Sequence, residues 1–238
     1  MAVCEIWTVN GSLLPVIILI RVRFHISPVN ANILVKMTPP FEWVGGHPAL
    51  DFCNTVSWGR NGRHTEERLV RPEDLAVWAA RAHLLPGGPR SRRRRASVRE
   101  VHATRATLHS LFSRLARGRP PDRAIVRSFQ RRLGRALGSL AIAPRRGELA
   151  LVPTRGRASW NPALVQVVWS AAQLATSPEA ARIRLCANEA CGWLFIDRSR
   201  RRNRRWCDMR VCGSRAKARR YYARRVARRR RSRRSARK

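Results

Sequence analysis

Acidic residues are scarce in this sequence, and lysine is scarcer still. The 238 residues include 14 aspartates and glutamates against 50 lysines and arginines, which gives a formal net charge of +36. Lysine occurs only at Lys36, Lys217 and Lys238. A GC-rich genome favours arginine over lysine, but it accounts less easily for the shortage of acids. So large a positive charge favours an anionic partner, and nucleic acid is the commonest one.

The positive charge is concentrated at the C-terminal end of the chain. Residues 182–238 hold 23 basic and 3 acidic residues, whereas the preceding 181 residues hold 27 basic and 11 acidic ones. A segment of such density repels itself unless an anion neutralises it. We therefore predict that the last quarter of the chain binds an anionic polymer.

Long hydrophobic runs are also lacking. The longest candidate, Leu13–Ile20, has eight residues and contains Pro15, whereas a transmembrane helix needs about 20 apolar residues. No basic segment precedes this run, so a secretory signal is not favoured. Met37 is a plausible translation start, and we expect residues 1–36 to be an extension outside the folded domain. Because 44% of the residues are hydrophobic, a packed core is still expected.

Helical patterns dominate the region from 37 to 180. Pro72-Glu73-Asp74 predicts a helix start, since proline suits the first turn and acids favour the positive end of the helix dipole. Apolar residues at helical spacing predict two longer helices, one from about Ser91 and one capped by Asp122. Asn161-Pro162 predicts the start of another helix. These residues favour a domain built mainly from helices.

Two shorter segments of this region are predicted not to be helical. Leu140–Ala143 and Leu149–Val152 flank a proline- and glycine-containing turn, which predicts a small β-hairpin. Phe41–Val56 is predicted to be an extended or turn segment, because Gly45-Gly46-His47-Pro48 interrupts it. The predicted fold class is therefore α+β and mostly helical: a helical N-terminal domain with a small hairpin, followed by a small four-cysteine module and a basic helix.

The cysteines do not follow the pattern of a disulfide framework. Cys4 and Cys53 are isolated, and the other four have the spacing Cys186-x4-Cys191-x15-Cys207-x4-Cys212. Two close pairs that a spacer brings together are typical of a tetrahedral structural zinc site. We predict one Zn²⁺ per chain. An iron–sulfur cluster and four unligated thiols remain alternatives, although the arginine-rich flanks would leave a cluster exposed.

A basic helix is predicted to follow the last cysteine. Ser214 is expected to cap it and Arg224 to lie near its end, with residues 225–238 forming a disordered arginine-rich tail. The aromatic ring of Trp206 has two predicted roles, packing on the small module or stacking on a base. The residues predicted to contact nucleic acid are Arg200, Arg204, Arg205, Trp206, Arg215, Lys217, Arg219 and Arg220.

A polar group near the start of the helical region has two interpretations. His47, Asp51 and Asn54 lie close in sequence and could line a ligand pocket or an active site. They could equally form turn hydrogen bonds and cap a helix. The sequence has no nucleophile elbow, paired-carboxylate signature or histidine-rich metal motif, so we do not expect an enzyme. A small-molecule-binding or catalytic role for these residues stays an alternative.

These residues and motifs resemble two known families. Cys186–Arg219 resembles the bacterial CGNR zinc finger through Asp197-Arg198-Ser199-Arg200, Arg204-Arg205-Trp206-Cys207 and Cys212-Gly213-x-Arg215-x-Lys217. The region upstream resembles the ABATE domain through Gly46-His47-Pro48-x-Leu50-Asp51-Phe52-x-Asn54-Thr55 and Pro72-Glu73-Asp74-Leu75. The name-giving asparagine of the finger is Ser214 here. Cys53 replaces an expected aliphatic residue, which favours a packing role for it.

The resemblance implies a domain organisation and a function. It implies an ABATE-like domain at 37–180 and a zinc finger with its basic helix at 182–224. It further implies a bacterial transcription regulator proposed to act in stress responses, located in the cytoplasm at the nucleoid. On this interpretation the finger binds DNA, and the N-terminal domain senses a signal or forms a homodimer. An RNA- or ribosome-associated protein is the alternative that the basic segment leaves open.

Overall fold

The computed structural model describes residues 41–59, 64–85, 96–145, 147–154 and 160–235. The predicted extension at 1–36 and the predicted helix start near Ser91 lie outside these residues. In the part of the chain that the structure describes, no helix is both long enough and apolar enough to cross a bilayer.

Helices form most of the described structure. The six α-helices are α1 (Pro48–Cys53), α2 (Pro72–Arg81), α3 (Val98–Ala116), α4 (Arg123–Leu137), α5 (Pro162–Ala175) and α6 (Ser214–Ser235). The strands are β1 (Ser57–Trp58), β2 (His64–Thr65), β3 (Leu140–Arg145), β4 (Glu148–Pro153), β5 (Ile183–Leu185) and β6 (Leu194–Ile196). They form three separate antiparallel pairs, β1–β2, β3–β4 and β5–β6. The mostly helical α+β class is confirmed, and so is the predicted hairpin at β3–β4.

Local capping explains where two of the helices begin. The Asp74 carboxylate accepts hydrogen bonds from the backbone N–H groups of Val70 at 2.9 Å and Arg71 at 2.7 Å, which fixes the start of α2. The Asn161 side chain accepts from Ala163 N and Leu164 N at the start of α5. These side chains satisfy backbone groups that the first helical turn leaves unpaired. Both predicted helix starts are confirmed.

The segment Phe41–Val56, predicted to be extended, instead contains α1. His47 occupies the cap position, where its Nδ1 accepts from Ala49 N at 3.2 Å, and Pro48 occupies the first helical position. The fixed φ angle of proline suits a helix. The backbone N–H that proline lacks would have no partner within the helix at this position. In this short helix Leu50 and Phe52 are fully buried, so burial rather than propensity determines its conformation.

One hydrophobic core extends from the N-terminal helices to the last hairpin. Leu50 of α1, Phe112 of α3 and Leu164 of α5 are fully buried in it. The same core includes Ile183 of β5 and Leu194 of β6. The β5–β6 hairpin, which carries the first two cysteines of the cluster between its strands, is therefore packed on the helical region rather than attached by a linker.

The last helix is longer than predicted. Residues 225–235, expected to be disordered, continue α6 to Ser235. Arginine and alanine favour helix, and neither glycine nor proline occurs after Gly213 to end it. Residues 236–238 lie outside the described residues.

Candidate metal centre and nucleic-acid interface

Four buried sulfur atoms form a compact cluster. The Sγ atoms of Cys186, Cys191, Cys207 and Cys212 all lie within 4.8 Å of one another. The Cys191–Cys207 and Cys207–Cys212 Sγ–Sγ distances are both 3.6 Å. Tetrahedral zinc, with Zn–S bonds of about 2.3 Å, requires sulfur separations of roughly 3.8 Å, whereas a disulfide requires about 2.05 Å. The separations therefore fit four thiolates around one zinc ion, and the predicted cofactor is confirmed.

Each cysteine pair lies on a turn held by backbone hydrogen bonds. Cys191 N donates to Asn188 O at 2.9 Å, and Cys212 N donates to Asp208 O at 3.0 Å. A third bond, from Ala187 N to Arg205 O at 2.8 Å, joins the two turns. These bonds bring the paired cysteines together across the 15-residue spacer.

The second turn also begins the last helix, and its cap differs from the prediction. Asp208, not Ser214, is the capping residue, since its carboxylate accepts from Arg210 N at 2.6 Å and Val211 N at 3.0 Å. Ser214 has ordinary helical angles, φ −65° and ψ −43°. The first helical turn, a π-helix at Met209–Gly213, continues directly into α6. Cys212 therefore holds the positive end of the helix dipole next to the thiolate cluster, which favours the charged sulfurs.

The close sulfurs influence one another's ionisation. Contacts with the Cys191 and Cys207 sulfurs lower the pKa of Cys186 well below its ordinary value. Contact with the Cys186 sulfur raises the pKa of both Cys191 and Cys207. Like charges this close cannot all form unaided, so a bound divalent cation is needed to hold four thiolates together.

A polar pair links α6 to the cluster. Asn188 is buried, and its Nδ2 donates to the Cys212 sulfur at 3.4 Å. The Arg219 guanidinium donates to Asn188 Oδ1 at 2.9 Å. Such outer partners orient metal ligands and offset their charge. Arg219, predicted to contact nucleic acid, thus has a structural bond in the finger.

Arg204 is likewise engaged in the finger. Its Nε donates to Trp206 O at 2.9 Å, its Nη2 donates to Cys207 O, and its guanidinium lies over the Phe195 ring. The Arg204 backbone N–H donates to the buried Asp197 carboxylate. Burial alone would raise the pKa of Asp197, but its bonds from Ser199 and Arg204 hold that pKa below its ordinary value. Arg204 therefore stabilises the loop before Cys207.

The other predicted nucleic-acid contacts are on the surface. Arg200, Arg205, Arg215, Lys217 and Arg220 are all exposed. Trp206 is half-buried against the cysteine cluster, with the Arg205 guanidinium 5.4 Å from its ring centre. The packing role of Trp206 is therefore observed. That these residues contact nucleic acid stays a prediction.

The polar group His47, Asp51 and Asn54 fixes the finger to the helical region. Asn54 makes two 2.9 Å bonds with Leu194 of β6: Nδ2 donates to its carbonyl, and Oδ1 accepts from its N–H. Asp51 Oδ1 accepts from Gly45 N at 2.8 Å, and Gly45 O in turn accepts from Ile196 N at 2.9 Å. His47 caps α1, which contains Asp51 and is followed directly by Asn54. The turn-and-cap interpretation is therefore observed for His47 and Asp51, whereas the Asn54 side chain bonds a strand 140 residues away.

The Asp51 carboxyl has an unusual environment. Burial raises its pKa from 3.8 to about 6, although hydrogen bonds from the Gly45 and Val44 amides lower it in part. A Cβ at Gly45 would lie 2.9 Å from Asp51 Oδ1 and from Leu50 Cβ. Glycine is therefore required where this turn contacts α1.

Aromatic residues complete the contact between the two regions. The Trp58 ring stacks on His109 of α3 with centroids 3.8 Å apart, and Trp58 N donates to Cys191 O at 3.0 Å. Trp193 of the finger donates from Nε1 to Val56 O at 2.8 Å. Gly192, between the cysteine turn and Trp193, has φ +64°, and a Cβ there would lie 2.4 Å from Trp58 O. The zinc turn is thus pressed against the helical region with no space for a side chain.

Sequence reasoning missed several of these residues. Asp208 precedes a helical turn and could have been recognised as a cap. Asn188 lies between two cysteines of a pair, where an amide that donates to sulfur is a reasonable expectation. His109 and Trp58 carry no sequence signal, because their contact joins segments about 50 residues apart.

Comparison with known families agrees with this geometry. Residues 182–225 match the family described as "CGNR zinc finger", and residues 46–178 match ABATE, described as "Putative stress-induced transcription regulator". A search of curated proteins finds no match to the chain. Since the ABATE match covers more than half of the chain, the protein belongs to the ABATE family and carries a CGNR zinc finger after its ABATE domain.

Proposed function

We propose that this protein is a zinc-dependent DNA-binding regulator of transcription and that α6 is its main nucleic-acid-binding element. The observation that carries the proposal is the surface of α6. Its 22 residues include 12 lysines and arginines and no acid. From Ser214 to Ala227 every residue except Ala216 is exposed. A helix that is basic on all sides has no apolar face to pack, and a polyphosphate neutralises it from several directions at once.

The dimensions of α6 suit a duplex. At about 1.5 Å per residue its 22 residues span roughly 33 Å, close to one turn of B-DNA at about 34 Å. A helix of this width fits the major groove, where phosphates border both sides. The charge on every face of α6 matches that environment better than it matches a flat anionic surface.

The zinc module fixes the position of the N-terminal end of α6. Cys212, the Asp208 cap and the Arg219–Asn188 bond hold its first turns, while β5–β6 is held by Asn54. The helix therefore projects from the helical region in one direction. That rigidity supports a role in positioning basic side chains rather than in diffuse charge attraction alone.

The N-terminal domain is the part that we propose to receive a signal or to join two copies. The Asp51–Gly45–Ile196 bonds connect α1 directly to the finger. A change in the packing of α1 would therefore reach β6 through two hydrogen bonds. A regulator acting on chromosomal DNA would work in the bacterial cytoplasm, at the nucleoid.

RNA is a second candidate partner. Tyr221 and Tyr222 are adjacent on α6, 60% and 63% exposed, with ring centroids 5.7 Å apart. Exposed aromatic rings among arginines are typical of proteins that stack on unpaired bases. Competition between duplex DNA and structured RNA at matched salt would separate the candidates, because preferential release by RNA would favour the second.

A non-catalytic role is part of the proposal. His47, Asp51 and Asn54 each bond a backbone group that positions α1 or the finger. These bonds support a structural use of the residues that sequence reasoning considered for a ligand pocket or active site. Turnover of any small substrate by the purified protein, lost on Asp51→Asn, would contradict this part.

The direct test compares two matched triple variants in duplex binding. Lys217, Arg220 and Arg224 are exposed on α6, and their change to alanine keeps a good helix former. Arg123, Arg127 and Arg131 are exposed at helical spacing on α4 and serve as the control with equal charge loss. Each lost phosphate contact reduces the slope of log affinity against log salt by about 0.9. We expect the α6 variant to lose about 2–3 units of slope and the α4 variant less than about one. Equal losses would remove α6 from its proposed role.

A further inference from the structure

The β3–β4 hairpin presents an uncovered apolar face. Its register pairs Ile142 with Leu151 and Pro144 with Leu149. Because side chains alternate across a strand, these four residues point to the same side of the hairpin. Ile142 is 69% exposed, Leu149 76% and Leu151 52%. Among the residues that the structure describes, β3 and β4 pair only with each other.

We propose that this hairpin face, defined by Ile142, Pro144, Leu149 and Leu151, is a homodimer interface in which it packs against the same face of a second copy. It rests on the joining of two copies proposed above for the N-terminal domain, and it does not depend on the nucleic-acid partner. It concerns residues more than 60 positions before α6 in the chain.

The size of the face fits a symmetric pair. Three aliphatic side chains exposed to this degree present roughly 400 Å² of apolar surface, which is as large as the biggest apolar patch of a typical monomer. A standard interface buries about 800 Å² per partner, of which somewhat more than half is apolar. The hairpin face therefore provides about as much apolar surface as one partner buries in a standard interface. A twofold axis would place the identical face of the second copy against it.

Charge also favours a second copy at this place. The chain carries a net charge of +36, so most pairings of two copies bring like charges together. The hairpin, residues 140–153, contains two basic residues, Arg145 and Arg146, and one acidic residue, Glu148. Its formal net charge is only +1, so two of these basic chains repel each other less strongly at the hairpin than at α6, which carries 12 basic residues and no acid.

An isolated two-stranded hairpin gains little stability by itself. Packing the apolar face of one hairpin on another buries both, whereas in a monomer the same residues stay in water. Leu140 at the start of β3 packs against the chain's own core, whereas the exposed Ile142, Leu149 and Leu151 are better explained by an intermolecular core.

The test measures particle mass for the full chain free of nucleic acid, by sedimentation velocity over a range of concentrations. Salt of about 1 M, where the Debye length is about 3 Å, removes charge repulsion and retains apolar association. We expect a particle of twice the 27.2 kDa chain mass. In the double variant Ile142→Thr with Leu151→Thr, which keeps β-favouring residues, we expect at least a tenfold weaker dimer. Val70→Thr, at a 58% exposed position outside the hairpin, should leave the dimer unchanged.

Three outcomes would overturn the proposal. The wild-type chain could be monomeric at every concentration, or the double variant could keep the dimer mass. In the third outcome the full chain is monomeric but a chain that begins at Met37 dimerises. That result would mean that residues 1–36, and not a second copy, cover the hairpin face. Zinc content and circular dichroism of the double variant verify that it is folded. Its affinity for a single duplex site should equal that of the wild type, so a failed dimer and a failed nucleic-acid proposal give different results.

Discussion

The helical region and α6 show two different ways of stabilising helices. In the helical region, α1, α3 and α5 bury residues such as Leu50, Phe112 and Leu164 completely. Apolar burial of this kind contributes roughly 1.5–3 kcal/mol per large side chain. In α6 only Ala216 is buried among residues 214–227, and its arginines repel one another. The first region is held by its core, whereas the second depends on the zinc turn at its start and, in the function proposed above, on an anion along its length.

The finger hairpin lies between these extremes. Strands β5 and β6 carry Ile183 and Leu194 into the main core, while Cys186 and Cys191 belong to the zinc cluster. Removal of the metal and removal of the core contacts should therefore damage different parts of the finger.

The largest expected effect is the loss of zinc. Structural zinc contributes on the order of 10–16 kcal/mol in finger peptides, so Cys207→Ser should release the ion and melt α6. Since α6 holds about a quarter of the residues in α-helices, circular dichroism should lose about that share. Cys53→Ser, at a buried cysteine outside the cluster, is the control and should keep zinc. Loss of the whole helical signal on Cys207→Ser would mean that both regions unfold as one unit.

A smaller effect is expected where the finger is bonded to α1. Asn54→Ala leaves the N–H and C=O of Leu194 without partners, and each unsatisfied buried group costs about 1–3 kcal/mol. Thermal unfolding should show a loss of about 4 kcal/mol, and hydrogen exchange at β6 should accelerate while zinc content stays the same. Asn203→Ala, at an exposed position in the finger, should change neither. Zinc release from Asn54→Ala would show that the bond to α1 also maintains the cluster.

The smallest effect is a pH dependence at Asp51. Its pKa is raised from 3.8 to about 6 by burial, so the folded chain retains a proton that the unfolded chain has lost. This contribution to stability is complete below about pH 4 and decreases as pH rises through 6. With about 1.4 kcal/mol per unit, it amounts to at most about 3 kcal/mol. Between pH 4 and 7 the wild type should lose that much relative to Asp51→Asn, and parallel stability curves would contradict the assignment.

Much of the fold and of the zinc site could be predicted from the sequence. The cysteine spacing predicted four ligands for one metal ion, because paired cysteines have few other uses in such a context. Pro72 and Asn161 marked helix starts, since capping depends on neighbouring residues alone. The β3–β4 hairpin followed from two apolar segments around a turn. In each of these cases the determining interactions are local.

What could not be predicted depends on contacts between distant residues. Asn54 and Leu194 are 140 residues apart in the chain, and nothing in the local pattern shows that one bonds the other. α1 was missed because its helical conformation comes from burial in a core that the sequence does not display. Arg204 and Arg219 were assigned to nucleic acid by charge, but their carbonyl and amide partners become visible only when the finger is folded.

The central proposal is that zinc, by fixing the start of α6, makes the basic helix a specific binding element. The most direct measurement is the affinity of the full chain for duplex DNA before chelation, after it, and after zinc is restored. Release of zinc with reprotonation of four thiolates makes the module more positive by two charges, so attraction by charge alone predicts equal or tighter binding. We predict that affinity falls at least tenfold on chelation and returns with zinc. Unchanged or tighter binding without the metal would contradict the proposal.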